Sequence, residues 1–306
     1  MNITAFPTLN FSDAFLRKPE EIPCEFIQTN FSAKKVSFHF RGANAIYHGL
    51  KRLSLPKGST VLMPAYHCGV EVDAVLRNKL EVKFYHLDDK LNVDLTRLNG
   101  FLDETVKVLF VIHYFGMPQP MGEISRFCQK HQILLFEDCA HALYSRGDGR
   151  VLGTAGDLSI FSLQKSLPVV DGGVLIENQN NNPLRFNDEI NPISLRRTKM
   201  VYWMNHLKLN TPGVFFLLNG IFFTPAKYLF RVFKKSRSSK GLAVATASTH
   251  DLNEEYLELG ISQYSKQIFA LQQENVIVQK RRKNYQTLLD GLNEENSRYI
   301  VYKYLA

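Results

Sequence analysis

Short apolar runs and amphipathic stretches alternate along residues 42–176, and this alternation narrows the fold more than any other feature. Residues 42–53 place Ala43, Ile46, Leu50 and Leu53 at helical spacing. Pro56-Lys57-Gly58 then turns the chain into a strand-like run, Thr60-Val61-Leu62-Met63, which Pro64 stops. Residues 70–76 read as a helix, and so do residues 124–130. Further strand-like runs lie at 82–85, 106–112, 133–136, 158–163 and 174–176. The pattern predicts an α/β domain with a mostly parallel sheet between helices. In such sheets ligands gather at the carboxyl ends of the strands. His113, Asp138 and Lys165 all fall near such ends.

The rest of the chain reads differently. Residues before 42 look irregular. Residues 178–249 open as an Asn- and Pro-containing loop and become an apolar, aromatic segment around Phe215, followed by Lys227, Arg231, Lys234, Lys235 and Arg237. That apolar run is too short and too interrupted to span a membrane. It reads as a helical insertion packed on the domain or a partner subunit, with peripheral membrane contact as the other reading. Residues 261–292 predict one long helix with Ile261, Tyr264, Ile268, Leu271, Val278, Tyr285, Leu288 and Leu292 on one face. With 306 residues the chain suits a large domain, residues 1–260, followed by a helix and the start of a second, incomplete small domain, residues 261–306.

Charge and cysteines set further limits. The net charge of +8 favours anionic partners such as nucleotide diphosphates or an anionic membrane surface, and a plain solvated basic face also accounts for it. No nucleic-acid-binding motif accompanies the charge. Cys24, Cys68, Cys128 and Cys139 form no CxxC pair and suggest neither a zinc site nor a disulfide framework, so no metal is expected. The first residues lack a basic region followed by an apolar core, so they do not read as a signal peptide. A reducing, cytoplasmic setting is the default.

Lys165 carries the sharpest chemical signal. It follows a strand-like run, with Ser162 three residues before it and Gly172-Gly173 shortly after. A lysine amine there can form a Schiff base with a cofactor aldehyde, and burial would make it a usable base. Asp138 ends another apolar run. It can cap a following helix, or it can hold the pyridine nitrogen of pyridoxal phosphate protonated. His141 lies one helical turn further on and could bond the cofactor's phenolic oxygen. Ser162 offers a hydroxyl to a phosphate. Gly42-Ala43-Asn44 opens the first helix, where backbone N–H groups and the helix dipole suit an anion. His67 follows the second strand and could stack on a planar cofactor. A Cys68/His67 nucleophile dyad is the weaker reading, since adjacent side chains point apart. No phosphate-binding GxxxxGK or GxGxxG loop is present, which argues against nucleotide hydrolysis and dinucleotide-dependent dehydrogenation.

In this order, these segments resemble the DegT/DnrJ/EryC1/StrS family of pyridoxal-phosphate-dependent sugar aminotransferases. The resemblance rests on Gly42-Ala43-Asn44-Ala45, on Val111-Ile112-His113-Tyr114-Phe115-Gly116, on Phe136-Glu137-Asp138-Cys139-Ala140-His141-Ala142, and on Phe161-Ser162 with Lys165 and Gly172-Gly173. It implies the large domain of the aspartate-aminotransferase-like type I fold. It also implies that Lys165 is the Schiff-base lysine, Asp138 the pyridinium partner, Ser162 a phosphate ligand and His141 a contact of the cofactor ring. Members usually act as homodimers and move an amino group from glutamate to a keto group on a nucleotide-linked sugar, in surface polysaccharide or secondary-metabolite biosynthesis. This chain departs from the pattern. Ala43 stands for a threonine, Cys68 for a ring-stacking aromatic and Asp171 for a glutamate, the Ser162–Lys165 gap is short, and the small domain is truncated. A rival from another class is a non-catalytic protein of the same fold, a scaffold or membrane-associated partner in polysaccharide assembly that uses the Phe215 region.

Overall fold

The structure, a computed structural model, describes residues 24–32, 34–169, 171–178, 252 and 254–292. In chain order, α1 (Glu25–Phe31) leads into β1 (Lys35–His39), α2 (Gly42–Arg52), β2 (Thr60–Pro64), α3 (Val70–Arg77) and β3 (Glu81–Tyr85). Then come α4 (Leu95–Leu98), β4 (Val106–Ile112), α5 (Met121–His131) and β5 (Leu134–Asp138). A small hairpin of β6 (Arg146–Gly147) and β7 (Arg150–Val151) precedes β8 (Leu158–Ser162), α6 (Leu163–Ser166) and β9 (Gly173–Glu177). Two later helices are α7 (Gln263–Leu271) and α8 (Glu274–Asp290).

Seven strands form one sheet in the order β1-β9-β8-β5-β4-β2-β3. The run from β3 through β2, β4 and β5 to β8 is parallel. β9 is antiparallel to both of its neighbours. The mostly parallel sheet expected from the alternation is therefore present. Side-chain alternation explains how it is covered. Val61 and Met63 on β2, with Val108 and Phe110 on β4, join Ile46 and Leu50 of α2 in one core cluster. Leu62, Leu109 and Val111 point to the other face and pack with Ile124 and Phe127 of α5. A third cluster gathers Phe26 and Phe31 of α1, Phe161 of β8 and Phe269 of α7. Each fully buried side chain of this size stabilises the fold by about 1.5–3 kcal/mol.

Three expectations need correction. First, the described residues between 24 and 41 are not irregular, since they hold α1 and β1. The strand escaped notice because its buried positions include Ser37 and His39. The pair is satisfied internally: Ser37 Oγ lies 2.9 Å from His39 Nε2 and accepts from Arg52 at 2.9 Å. Burial, with the positive charges of His48 and Arg52, lowers the His39 pKa to about 3, so the ring stays neutral. Second, residues 261–292 are not one helix. Extended backbone at Gln272 (φ −75°, ψ 132°) separates α7 from α8. Tyr264 and Ile268 are buried, whereas Leu271 and Leu288 are exposed and α8 buries no residue. Third, no helix follows Asp138; residues 139–145 are a succession of turns. The segment around Phe215 with its basic flank, and the chain beyond residue 292, lie outside the described residues. Among the described residues no helix is long and apolar enough to cross a membrane.

Candidate active site

The carboxyl ends of the parallel strands open onto a cavity of about 530 Å³, within the size range of small-molecule sites. Its corner at the start of α2 is built by close backbone approach. Gly173, the first residue of β9, lies directly beneath the turn into α2: a Cβ placed there would sit 2.0 Å from the Arg41 carbonyl oxygen. Only glycine fits. Gly172 before it has φ +127°, and its backbone joins two segments, donating to Phe40 O at 2.7 Å and accepting from Leu163 N at 2.8 Å. These contacts bring the start of α2 against Ser162, whose Cβ would be 3.2 Å from a Cβ on Gly42. α2 has no side-chain cap. Its first N–H groups, at Gly42, Ala43 and Asn44, therefore have no acceptor within the helix, and all three residues line the cavity together with Ser162.

The side chain of Asn44 is engaged away from this corner. Its side-chain amide donates to the carbonyls of Tyr256 and Leu257 at 2.8 and 3.3 Å. Only its backbone N–H is left for an anion at the start of α2. The partner segment comes from far along the chain, and Tyr256 itself lines the cavity.

Asp138 ends β5 and is buried at 3% exposure. Its carbonyl accepts from His113 N at 3.0 Å, and its Oδ1 accepts from Ala140 N at 2.8 Å. Burial raises its pKa to about 7, and the charge of Glu71 adds to the rise; the Ala140 hydrogen bond and the charge of Lys165 oppose it. An acid with a raised folded-state pKa binds more protons folded than unfolded. Stability is then greatest below the unfolded value of about 4 and falls as pH rises toward about 7. Denaturation of the cofactor-free protein is expected to show that slope, and Asp138→Asn is expected to flatten it. A wild-type stability independent of pH over this window would contradict the assignment.

Lys165 sits in α6, immediately after β8, at the cavity wall. His141 lines the same cavity from the turn after Asp138. Burial and the charges of Lys165 and Arg281 lower its pKa, so its ring is neutral near pH 7. His67 also reaches the wall, yet its ring stacks on Phe84 (5.1 Å, 7°) and its Nδ1 accepts from Gly69 N at 3.0 Å. No Cys68/His67 dyad forms. The Cys68 thiol instead donates to both Glu71 carboxylate oxygens at 3.1–3.2 Å, and burial with the Glu71 charge raises its pKa to about 11. All four cysteines are free. Gly42, Ala43, Asn44, His67, Asp138, His141, Ser162 and Lys165 thus all line one cavity, whereas Asp171, Gly172 and Gly173 stand behind its wall.

Sequence reasoning missed several contributors. Glu137, next to Asp138, is fully buried and accepts from His113 Nε2 at 3.1 Å, from Gly153 N at 3.1 Å, from Ala155 N at 2.8 Å and from Gly156 N. His113 Nδ1 accepts from Gln119 N at 3.2 Å, so its proton is on Nε2. His113, Glu137 and Cys139 lie close enough to suggest a metal site, but the first two already have their polar atoms engaged. Tyr114, which donates to Tyr66 O at 2.6 Å, and Glu71 also line the cavity. Only the spacing of Glu71, one helical turn after Cys68, could have signalled it.

The donor set fits pyridoxal phosphate: an uncapped helix start with a serine for the phosphate, a buried aspartate for a ring nitrogen and a lysine for an aldehyde. Comparison with known proteins agrees. The sequence matches the DegT/DnrJ/EryC1/StrS aminotransferase family over residues 21–205, a pyridoxal-phosphate-dependent family. It is 27% identical over 139 residues to a UDP-N-acetyl-3-dehydro-alpha-D-glucosamine 3-aminotransferase of Acidithiobacillus ferrooxidans, covering 44% of this chain and 38% of that one. It is 24% identical over 140 residues to GDP-perosamine synthase of Vibrio cholerae, covering 45% and 38%. These matches thus span about two fifths of the relatives' own length. Among solved structures, Bacillus subtilis ntda with bound cofactor PMP overlaps 48% of this chain and 34% of its own, at 21% identity and a TM-score of 0.42.

Proposed function

The chain belongs to the DegT/DnrJ/EryC1/StrS aminotransferase family, and from that premise we propose that it carries the cofactor-binding domain of a pyridoxal-phosphate-dependent aminotransferase. The amino group passes from glutamate to the keto group of a sugar, nucleotide-linked, leaving 2-oxoglutarate and an amino sugar. We further propose a homodimer working in the cytoplasm on surface polysaccharide or secondary-metabolite precursors. One observation carries the reading: Lys165, Asp138, Ser162 and the start of α2 all line one cavity at the strand ends. The net charge of +8 favours an anionic acceptor.

In this reading the residues divide the work. The N–H groups of Gly42, Ala43 and Asn44 and the Ser162 hydroxyl hold the phosphate. Asp138 keeps a proton on the ring nitrogen. When bound, the cofactor supplies an electron-withdrawing ring that makes the donor's α-proton labile. Lys165 Nζ takes that proton from the donor's α-carbon and later returns one to the product carbon. Neutral His141 contributes a ring N–H or lone pair at the cavity wall without adding charge.

The test is a two-stage assay with protein saturated with pyridoxal phosphate. Glutamate alone is expected to release one equivalent of 2-oxoglutarate per site and no more. Adding a keto sugar nucleotide is expected to restore release and to yield an amino sugar. No 2-oxoglutarate from the loaded protein would overturn the reading.

A further inference from the structure

Glu71 is a buried carboxylate at the cavity wall. It lies in α3, is exposed by only 7% and lines the cavity. Among the described residues its carboxylate has one hydrogen-bond donor, the Cys68 thiol. A thiol is a weak donor, and a carboxylate accepts up to about four hydrogen bonds. Buried carboxylates elsewhere in this protein are better served, Glu137 having four donors. A buried charge this poorly satisfied is costly unless something that enters the cavity completes it.

The surroundings identify what completes it. Glu71 lines the same cavity as Asp138, Cys68, Tyr114 and His141, and its charge helps to raise the Asp138 pKa. Glu71 and Asp138 thus present two carboxyl groups to one cavity. Arg41 and Lys165 line the same cavity, and the charge of Lys165 acts on Asp138. Two like charges in a poorly solvated space are stable together only with a proton or a cation between them.

We propose that Glu71 is a second acceptor for the protonated ring nitrogen of the cofactor, acting beside Asp138. The inference rests on the pyridoxal-phosphate reading given above. It makes the Cys68–Glu71 pair a holding arrangement: the thiol occupies the carboxylate until a stronger, cationic N–H donor arrives. It also gives the cysteine, which stands where an aromatic residue would stack, a role other than stacking.

The experiment is a pair of binding titrations on the cofactor-free full chain, with pyridoxal phosphate and with its 1-deaza analogue, in which a C–H replaces the ring nitrogen. Wild type and Glu71→Gln are compared, with thermal unfolding as the check on folding. The preference of wild type for pyridoxal phosphate over the analogue is expected to fall about tenfold or more in E71Q, the scale of a hydrogen bond to a charged group. A general loosening of the site would weaken both ligands equally and leave the preference unchanged, which would overturn the inference while the cofactor reading stood. No binding of pyridoxal phosphate to wild type would overturn both. If E71Q does not fold, Glu71→Asp replaces it. Withdrawing the charge by one methylene is then expected to cut the preference at least about threefold, and an unchanged preference would again refute the role.

Discussion

Lys165→Ala is expected to abolish amino transfer while leaving the fold intact. Lys165 is exposed to the cavity and carries no structural burden: it has no salt bridge among the described residues, and the helix that holds it is anchored instead by Leu163 and Ser166. Removing its amine therefore costs little stability. Chemically it removes both the group that can bond an aldehyde and the base at the wall. Turnover is expected to fall by at least about a thousandfold, in the upper part of the range for a positioned acid–base group. Phosphate recognition by α2 and Ser162 remains, so the variant is expected still to bind the cofactor, without the lysine-dependent visible absorbance. A variant retaining a tenth of wild-type activity would show that the lysine is not the catalytic group.

Glu137→Ala is expected to have the largest effect on stability. The side chain is fully buried and joins the end of β4, through His113, to the backbone of Gly153, Ala155 and Gly156. Truncation leaves those N–H groups and the His113 ring proton without an acceptor. Breaking a buried pair in this way costs about 3–5 kcal/mol, a large fraction of the stability of a typical domain. Asp138 is the adjacent residue on β5, so cofactor affinity is expected to fall along with the melting temperature. Denaturant unfolding measures the cost, and a loss under about 1 kcal/mol would contradict this account of the loop.

The strands and the chemistry were legible in the sequence for the same reason. A buried parallel strand needs a continuous apolar run, and a site at its carboxyl end puts a polar residue just after that run. Phe136-Glu137-Asp138 and Phe161-Ser162 both show this signature. β1 did not, because Ser37 and His39 satisfy each other inside the core and so disguise a buried strand as a polar one. The helical period over residues 261–292 promised one continuous element, but periodicity does not register two residues that turn extended, as Gln272 and Gln273 do. Contacts across long sequence separations were hidden altogether. The side-chain amide of Asn44 holds the carbonyl of Tyr256, 212 residues away, a contact that no local pattern shows. Glu71 and Asp138 line one cavity because the sheet order places β2, which leads into α3, beside β4 and β4 beside β5.

The central claim is that Lys165 is the residue that bonds the cofactor. Borohydride reduction of the protein saturated with pyridoxal phosphate, followed by peptide mass mapping, tests it most directly. The account predicts one phosphopyridoxyl group per chain, on the peptide that contains Lys165. No modification, or modification spread over other lysines while Lys165 remains untouched, would contradict it.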